Sequence, residues 1–448
     1  MNITIPIGAQ NIISALQSHN YEAYIVGGCV RDSILGRTPH DWDICTNATP
    51  EQVKSCLCSY RTVDTGIKHG TLTVLAHDGS YEVTTYRIDG QYSDHRHPDS
   101  IHYTPNLIED LSRRDFTINA MAYNSEVGLI DPFGGREDLS LHVIRCVGQP
   151  LQRFGEDYLR ILRALRFASQ FEFSIDPHTA AGIQQLKEKL DGVARERVFA
   201  EVCKLIDGPG VLEVLLRFAE VISVVIPELK PCINFPQNNF FHCHNVYDHI
   251  AHTVENCHGS DLIVKLAALF HDVGKPSCRT ADERGDHFYG HATVSADMAD
   301  AALIRLKADN ETRMSVVELI RYHDAVLLPT KSAIRKWIGK IGVDQFKRLI
   351  ALHRADVLAH APGVLDAVLK RLVEVEMALD EVLSEPPMFS VKDLAVSGRD
   401  ILDLGVPQGP VVGVILNYLL DLVIAGECEN ERDGLIRLAE QKVKERGF

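Results

Sequence analysis

The spacing of apolar residues along the chain changes near residue 150. Before that point, short apolar runs are bounded by Gly, Asp and Pro, which is typical of strands and turns. After it, apolar residues recur with the 3.6-residue period of helices as far as the C-terminus. The pattern therefore predicts a small head that mixes strands and helices, followed by a long helical body.

In several places the pattern is specific enough to predict individual elements. The runs 70–76 and 81–88 alternate and are rich in Thr, Val and Tyr, so the turn at 77–80 should join them into a hairpin. The other predicted elements are strands over 24–26 and 41–46, a polar loop over 91–105, and helices over 29–35, 156–169 and 262–270.

The composition narrows the class of protein. The 448 residues include 46 Lys and Arg against 61 Asp and Glu, a net charge of −15, with 45% hydrophobic and 24% charged residues. These values indicate a globular protein of roughly three domains and argue against a disordered, collagenous or disulfide-stapled chain. They also argue against holding nucleic acid by bulk positive charge, so any such contact must use local basic patches.

Cysteine spacing and hydropathy predict a cytoplasmic protein without a membrane partner. None of the 11 cysteines is spaced as in a zinc ribbon. Residues 1–21 lack the basic n-region of a signal peptide. The longest apolar stretch, residues 409–426, contains Asn417 and Asp421 and is short for a membrane span, so we expect a buried helix there.

Two aspartates form the first candidate chemical site. Asp41 and Asp43 lie on the predicted strand 41–46, where residues two apart face the same side. Carboxylate oxygens suit Mg²⁺, and a metal pair supports in-line phosphoryl transfer. Taken alone, the pair also fits a solvated strand edge.

A glycine turn precedes the aspartates. The sequence G-G-C-V-R-D at 27–32 lies between a predicted strand and a predicted helix. Glycine lets the backbone approach a ligand closely, a helix N-terminus favours phosphate, and Arg31 is a bidentate donor. Gly28 and Arg31 are therefore candidate nucleotide contacts, although a tight turn with a surface Arg31–Asp32 pair would use the same residues.

These motifs, with others in order, resemble the class II tRNA nucleotidyltransferase/poly(A) polymerase family of the DNA polymerase beta superfamily. The other motifs are Gly70-Thr71, E-V-T-T-Y-R at 82–87, R-R-D-F-T-I-N-A-M at 113–121, D-P-F-G-G at 131–135 and R-F-G-E-D-Y-L-R at 153–160. The resemblance covers about residues 20–175. It implies an α+β head in which Asp41 and Asp43 hold Mg²⁺ and act in catalysis, with Glu82 either a third acidic group or an ordinary strand-edge residue.

The resemblance also implies the substrates and how the nucleotide is held. The partners would be tRNA, CTP and ATP, and the tRNA 3′-hydroxyl would attack the α-phosphate of the nucleotide. Arg114 would contact the nucleotide and Asp115 would help to select a ribose. Arg163 and Arg166 would help to hold the nucleotide and its phosphates.

Base selection would belong to Asp157 and Arg160. By resemblance, Asp157 accepts from an exocyclic amine and Arg160 donates to ring acceptors. C and A share an amine beside an acceptor nitrogen, whereas U and G present a carbonyl oxygen that a carboxylate repels, so one pair can select both bases. On the residues alone, the three-residue spacing from Asp157 to Arg166 on a helix also fits a solvated ladder of salt bridges.

The product depends on the family branch. Members add CCA, CC only, A only, or poly(A), and CC-adding members have a shortened loop before Arg113. Here D-H-R-H-P at 94–98 is present at full length, which favours complete CCA addition. His95 and His97 depart from the D-G-R-R-P that is frequent in the family, so the partial adders and poly(A) synthesis stay open.

A histidine-rich block in the helical body resembles the HD phosphohydrolase superfamily. H-D-V-G-K-P at 271–276 follows the predicted helix 262–270. The resemblance implies a site for one or two divalent metals of unknown identity, with phosphatase and 2′,3′-cyclic phosphodiesterase activity on nucleotides or RNA ends, and Lys275 beside the phosphate. A lone His-Asp is more often a structural pair. The implied ligands are His249, His271, Asp272, His291, His323 and Asp356.

The resemblances together divide the chain into four parts. These are a nucleotidyltransferase head at 1–145, a helical neck and tRNA-binding segment at 146–238, an HD domain at 239–362 and a helical tail at 363–448. Candidate phosphate contacts for tRNA are Arg195, Arg197, Lys331, Arg335 and Lys336, for which solvated helix charges are an equal alternative. Two further hypotheses are an HD hydrolase as the main activity and a non-enzymatic tRNA-binding protein with vestigial sites.

Overall fold

The computed structural model describes residues 2–93, 95–96, 98–238, 240, 243–283, 285–361, 365–385 and 390–446. The chain divides into two compact units, Met1–Lys230 and Pro231–Phe448. A mixed α/β N-terminal part is followed by helices, which confirms the predicted fold class. Within the described ranges, no helix is both long and apolar enough to cross a membrane.

Among its described residues, the first unit contains a seven-stranded sheet, two short strand pairs and eleven α-helices. Its strands are β1 (Ala23–Val26), β2 (Ile44–Thr46), β3 (Arg61–Gly66), β4 (Thr71–Ala76), β5 (Gly79–Thr85), β6 (Arg87–Asp89), β7 (Ile101–Tyr103), β8 (Ala122–Asn124), β9 (Gly128–Ile130), β10 (Val143–Ile144) and β11 (Ser174–Ile175). Its helices are α1 (Ile7–Ser18), α2 (Gly28–Ile34), α3 (Pro50–Cys56), α4 (Leu107–Ser112), α5 (Gly135–Leu141), α6 (Pro150–Glu156), α7 (Leu159–Phe171), α8 (Pro177–Leu186), α9 (Arg195–Ile206), α10 (Val211–Arg217) and α11 (Ala219–Val225).

The main sheet has the strand order β3-β4-β5-β2-β1-β8-β9. The β4–β5 hairpin is antiparallel, as the alternation predicted, whereas β2 and β5 run parallel. The strand β2 begins at Ile44, three residues later than predicted. The predicted loop 91–105 includes the short strand β7, which pairs antiparallel with β6.

The predicted helix over 156–169 is wrong at its start. The chain forms α6, leaves the helical conformation at Asp157 (φ −147°, ψ 105°), and begins α7 at Leu159. The Asp157 carboxylate accepts a hydrogen bond from the Leu159 backbone N–H at 3.1 Å. Aspartate competes in this way with helical hydrogen bonding, so it ends one helix and starts the next.

The second unit is helical apart from one hairpin. Its helices are α12 (Val246–Asn256), α13 (Leu262–Phe270), α14 (Lys275–Cys278), α15 (His291–Arg305), α16 (Asn310–Tyr322), α17 (Lys331–Ile341), α18 (Val343–Leu358), α19 (Leu365–Ser384), α20 (Gly398–Asp403), α21 (Pro410–Ala425) and α22 (Arg432–Arg446). The hairpin strands are β12 (Thr280–Asp282) and β13 (Gly285–His287). Short 3-10 helices in the chain include Ile67–His69, Thr117–Asn119, Lys187–Gly192, Pro227–Cys232 and Val391–Asp393.

Helix α13 has the predicted bounds and forms the centre of the second unit. It packs against α12, α16 and α18. All its residues from Val264 to Phe270 are buried, as expected for a helix whose only charged residue is Lys265. The Asp261 side chain caps its N-terminus by accepting from the Val264 N–H. Because α13 ends inside the core, the residues that follow it are placed in the interior.

Candidate active sites

Asp41 and Asp43 lie in the segment that leads into β2, and not on the strand itself. The Asp43 carbonyl still accepts a hydrogen bond from the Val26 N–H at 2.9 Å, so the backbone continues along β1. Asp41 is exposed and Asp43 is half-buried. The prediction that both carboxylates share one face of a strand is therefore wrong. The two aspartates precede the strand, where side chains need not alternate between two faces.

Glu82 belongs to the same acidic group. The parallel register pairs Ile44 with Val83, so Asp43 and Glu82 occupy adjacent positions just before the paired residues. Burial raises the pKa of the Asp43 carboxyl; Arg114 opposes this rise, while Glu82 and Asp41 add to it. A bound cation would relieve mutual repulsion of this kind, and carboxylate oxygens are the ligands that a hard divalent ion such as Mg²⁺ prefers.

The glycine turn lets Arg114 approach this acidic group. Gly27 has φ +80°, and a Cβ there would lie 2.8 Å from Nη1 of Arg114. Any larger residue would be strained and would displace the guanidinium. Gly28 begins α2 one residue later. Gly27 was not among the predicted contacts, but it determines where Arg114 lies.

Arg31 is held by the protein and is nearly buried. Its guanidinium donates to both carboxylate oxygens of Asp32, at 2.9 and 3.0 Å, and to the Asn119 Oδ1 at 2.6 Å. The rings of Phe167 and Phe171 lie about 5 Å away, at 5.1 and 4.9 Å. Arg31 therefore links the glycine turn to the 113–121 motif. Only a small part of its side chain is exposed.

A buried aspartate orients the two arginines of the 113–121 motif. Asp110 is fully buried on α4 and accepts from Arg113 at 2.8 Å. Its other oxygen lies 3.6 Å from Arg114. Asp110 was not predicted as a site residue, although its position three and four residues before the arginines is a helical spacing that could have indicated it.

Asp115 lies within a network of donors. Its carboxylate accepts from the Asn119 amide at 3.0 Å and forms an ion pair with Arg163 at 2.7 Å. Burial raises the pKa of Asp115, but Arg163, Asn119 and Arg160 outweigh burial and hold it far below its usual range. Asp115 is therefore an anion at neutral pH, and Arg163 is directed at it.

The two predicted base-selecting residues each have a protein partner. Asp157 accepts from Arg197 of α9 at 2.7 and 3.3 Å. Arg160 donates to Glu156 at 2.6 Å, and Glu156 also binds Arg153 at 2.7 Å. Because α6 ends at Glu156, the pair lies at the junction of α6 and α7 and not along one helix face.

The remaining predicted contacts of the head are more widely distributed. Arg166 is 7% exposed, lies 3.2 Å from Glu201 and packs on the Phe167 ring. In the loop before Arg113, Asp94 and His97 lie outside the described residues. His95 has its Nδ1 2.7 Å from the Gly155 carbonyl, and its ring contacts Tyr158.

Each basic residue predicted to contact tRNA has a carboxylate neighbour. Arg195 pairs with Asp191 at 2.5 Å, and Arg197 pairs with Asp157. In the second unit, the ion pairs are Lys331 with Glu381 and Glu385, Arg335 with Glu385, and Lys336 with Asp421. These pairs lower the local positive potential, so the assignment stays a prediction.

In the second unit, four histidine rings point the same nitrogen at one place. His271, His291 and His323 each place Nδ1 within 2.8 Å of the carbonyl three residues before, and His249 Nδ1 lies 3.3 Å from the Ala359 carbonyl. A ring whose Nδ1–H is donated to a carbonyl keeps Nε2 as a lone-pair donor. The four Nε2 atoms converge, with 3.3 Å between His249 and His271 and 3.2 Å between His291 and His323.

Asp272 lies between these two histidine pairs. Its Oδ2 is 3.4 Å from His249 Nε2 and 3.2 Å from His271 Nε2, whereas its Oδ1 is 3.3 and 3.7 Å from His291 and His323. Neither oxygen accepts a hydrogen bond of good geometry from the described part of the chain, although both are buried. Such a carboxylate fits a position that bridges two cations.

Asp356 and His360 extend the cluster on one side. Asp356 Oδ1 is 2.9 Å from His249 Nε2 and 3.9 Å from His360 Nδ1. Three sets of potential ligand atoms each fit around one ion: His249 with His271 and Asp272, His249 with Asp356 and His360, and Asp272 with His291 and His323. His360 was not predicted, although its spacing of four from Asp356 on a helical pattern is a signal that could have found it.

Burial and neighbouring charges shift the pKa values of the histidines in this cluster in opposite directions. Burial lowers the pKa of His249 to about 4. Burial also opposes charge on His271, but Asp272 and Asp356 outweigh it and raise the pKa of His271 to about 10. The Lys275 ammonium lies 2.6 Å from Asp272 Oδ2 and donates to Gln237. Imidazole and carboxylate donors in this number fit one or two divalent ions of the transition series.

A cavity of about 540 Å³ opens onto the cluster. Its inner wall includes Asp272, His291 and Lys275, and its rim includes His287 and Tyr289. The side chains of the cluster are therefore accessible to a small molecule.

Comparison with known families matches three consecutive parts of the chain. Residues 23–145 match the family of the Poly A polymerase head domain. Residues 172–233 match the family described as "Probable RNA and SrmB- binding site of polymerase A". Residues 240–361 match the HD domain family.

Relatives match over nearly the whole length. The chain is 35% identical over 429 residues to the CCA-adding enzyme of Levilactobacillus brevis, covering 96% of each chain, and 33% identical over 428 residues to that of Geobacillus sp., covering 95% and 94%. The crystal structure of the Bacillus stearothermophilus CCA-adding enzyme in complex with CTP is similar at a TM-score of 0.75, with 29% identity and 98% of both chains covered.

Proposed function

The chain belongs to the CCA-adding enzyme family, and we propose that it completes tRNA 3′ ends by adding C, C and A from CTP and ATP without a nucleic-acid template. The observation that carries this proposal is the acidic group of Asp41, Asp43 and Glu82 beside Arg114 at the glycine turn. Relatives that align over nearly their whole length are named CCA-adding enzymes, and the structure of one was solved in complex with CTP.

In the proposed reaction, the tRNA 3′-hydroxyl oxygen forms a bond to the α-phosphorus of the nucleotide. The bond from that phosphorus to the bridging oxygen breaks, pyrophosphate leaves, and the hydroxyl loses its proton. Asp41 and Asp43 would hold Mg²⁺, which activates the attacking oxygen and neutralises charge on the phosphates. Arg114, which lies 3.6 Å from Asp110, would donate to phosphate oxygens.

Base selection requires an exchange of partners at Asp157 and Arg160. The incoming C or A would offer its amine to Asp157 and its ring acceptor to Arg160. Arg197 and Glu156, which hold these side chains in the protein alone, keep both charges oriented until the base arrives. With U or G, a carbonyl oxygen would face the carboxylate and leave a buried charge without a donor, which costs about 1–3 kcal/mol or more.

A product ladder tests the proposal. A tRNA transcript that ends at the discriminator base is incubated with Mg²⁺ and with CTP, ATP, both, or all four nucleotides, and the added residues are counted on a sequencing gel. We expect growth by C, C and A and then a stop. Arrest after CC, addition of A only, or continued addition of A would instead identify a partial adder or a poly(A) polymerase.

We propose a second activity, metal-dependent hydrolysis of phosphate esters, for the HD site. The observation that favours it is Asp272, which is shared by two histidine pairs whose Nε2 atoms converge on an open cavity. Bound divalent ions would polarise a phosphoryl oxygen and activate a water. Lys275 would bind another phosphate oxygen, and the Nδ1 bonds of the histidines keep the ligand atoms in place.

The test of the second activity uses the whole chain. Nucleoside monophosphates and 2′,3′-cyclic nucleotides are supplied with Mg²⁺, Mn²⁺, Co²⁺ or Ni²⁺ in turn, and the products are separated by chromatography. Asp272→Asn should abolish hydrolysis while the product ladder stays intact. Hydrolysis that survives Asp272→Asn would contradict the assignment.

The four-part division at residues 145, 238 and 362, and the tRNA contacts, belong to the same proposal. Arg195 and Lys336 would each release a carboxylate partner and bind a phosphate. Replacing either by Ala should weaken binding of tRNA and reduce the salt dependence of that binding by about one phosphate contact. Unchanged affinity and salt slope in an electrophoretic mobility assay would remove that residue from the interface.

A further inference from the structure

The rim of the HD cavity carries an exposed aromatic side chain that the metal cluster does not need. Tyr289 is 79% exposed and lines the cavity that contains Asp272 and His291. It lies in the short connection between β13 and α15, two residues before His291. Because the ring is exposed, it adds nothing to the hydrophobic core. Core packing therefore does not explain why an aromatic residue is found at this position.

Tyr289 forms a parallel ring pair with His287. The two ring centroids are 5.4 Å apart, and the planes differ by 9°. The His287 Nε2 in turn lies 2.9 Å from an Asp282 carboxylate oxygen on the facing strand, so the imidazole has a carboxylate neighbour as well as the Tyr289 ring. A flat surface held at a fixed angle is the arrangement on which a nucleobase stacks.

The β12–β13 hairpin, which carries His287 and leads directly to Tyr289, is held by other residues of the second unit. Asp286 is 4% exposed and accepts from the backbone and side-chain nitrogens of Asn238, at 3.2 and 3.1 Å, and from Arg279 at 2.9 Å. On the other side, Gly290 adopts φ +78° and α15 begins at His291. The ring pair therefore has a defined position relative to the cluster, as a specific subsite requires.

We propose that Tyr289, stacked on His287, is a nucleobase subsite of the HD cavity. The proposal rests on the hydrolase function proposed above and adds to it a residue that favours nucleoside phosphates over phosphate esters without a base. The phosphate would lie at the cluster beside Lys275, and the base would cover the Tyr289 ring. Because every base has a π-face, the subsite would accept all four bases.

Two substrates that differ only in the base test this inference. Uridine 5′-monophosphate and ribose 5-phosphate carry the same phosphate, and uridine avoids the C- and A-selecting pair of the first unit. With wild type, we expect kcat/KM for the uridine compound to exceed that for ribose 5-phosphate by about tenfold, the contribution of one stacked base. Tyr289→Ala should remove this preference without changing ribose 5-phosphate hydrolysis, whereas Tyr289→Phe should keep it.

Binding gives an independent measurement. The methylenephosphonate analogue of uridine monophosphate, which cannot be hydrolysed, is titrated calorimetrically into wild type, Tyr289→Ala and Met314→Ala. Met314 is a matched control because it is 64% exposed in the same unit and lines a different cavity. We expect about tenfold weaker binding only for Tyr289→Ala.

The outcomes separate the two proposals. Hydrolysis of both phosphates at equal rates, unchanged in Tyr289→Ala, would overturn the base subsite and leave the hydrolase. Binding of the analogue that depends on Tyr289 without any hydrolysis would support the subsite and overturn the hydrolase. An analogue that binds no variant, together with no hydrolysis, would overturn both.

Discussion

The two candidate sites satisfy their charges in different ways. In the head, Asp157 is bound to Arg197 and Arg160 to Glu156, so the side chains proposed to select a base already have protein partners. In the HD cluster, buried Asp272 lies between four Nε2 atoms, and its protein cation is the Lys275 ammonium, 2.6 Å from Oδ2. On the functions proposed above, the head carries ion pairs that exchange for a base, whereas the HD cluster carries converging ligand atoms that a metal ion would join.

This difference follows from what each site must recognise. A base that arrives and leaves in every cycle needs donors and acceptors that can exchange a protein partner for the base. The mostly buried side chains of Asp157 and Arg160, 14% and 13% exposed, keep a charged partner between cycles. A resident metal needs ligands whose orientation does not change, and the Nδ1 bonds to carbonyls supply this rigidity. The difference between the head and the HD cluster can be tested by substitutions and by removal of metal.

Removing one carboxylate from each site should separate the two activities. Asp43→Asn should lower the kcat of nucleotide addition by on the order of 10³-fold, the upper range for losing one electrostatic stabiliser, and leave phosphate-ester hydrolysis unchanged. Asp272→Asn should do the reverse. Gel ladders and phosphate release measure the two activities. Asp64→Asn, an exposed carboxylate paired with Lys54, is the control for the head.

Loss of nucleotide addition in Asp272→Asn, or loss of hydrolysis in Asp43→Asn, would show that the two sites do not act independently.

Metal removal should destabilise the HD cluster more than the head. A divalent ion at 100 times its dissociation constant adds about 2.7 kcal/mol to the free energy of unfolding of the part that binds it. Without nucleotide, differential scanning calorimetry with and without EDTA should show this increment in wild type and in Asp43→Asn. Asp272→Asn should lose it; an equal metal-induced shift in that variant would contradict the bridging position of Asp272.

Asp157→Asn should weaken base selection. The amide can donate to the carbonyl of U, which the carboxylate cannot, so the preference for CTP over UTP should fall about 10- to 100-fold, the range for one base-edge pair. Competition between the two nucleotides in the ladder assay measures the ratio. Asp191→Asn also removes a carboxylate paired with an arginine of α9 and should leave the ratio unchanged. An unchanged ratio in Asp157→Asn would assign selection to other residues.

The smallest effect concerns the glycine turn. Gly27→Ala should cost about 1–2 kcal/mol of stability because its φ is +80°, and it should also raise the KM for CTP by displacing Arg114. Gly128→Ala has a similar φ of +86° but open space around its Cβ, so it should show the strain alone. Urea unfolding measures the loss of stability, and initial rates at varied CTP concentration measure the KM. Equal KM values in the two variants would remove Arg114 from nucleotide binding.

Short-range patterns in the sequence determined much of the architecture. The alternation of 70–88 and the apolar run 262–270 depend only on neighbours along the chain, and the structure confirms the hairpin β4–β5 and the bounds of α13. Ordered motifs likewise identified the family, because each combines turn residues and charges at fixed local spacing.

Tertiary structure alone decided how the charged residues pair. The sequence predicted one continuous helix through Asp157, but the aspartate caps the Leu159 N–H and breaks it, which moves the base-selecting pair to a junction. The partners Arg197 and Glu201 are 40 and 35 residues away from the side chains that they bind, and no local pattern specifies such distant ion pairs.

The same reason applies to the HD cluster. The sequence predicted six ligands in chain order, whereas the position of Asp272 between two histidine pairs depends on the packing of α12, α13, α15, α16 and α18. Secondary structure follows from local backbone preferences and from burial of one face. A site built from several helices follows from their packing, because a few ångströms there determine whether donor atoms converge.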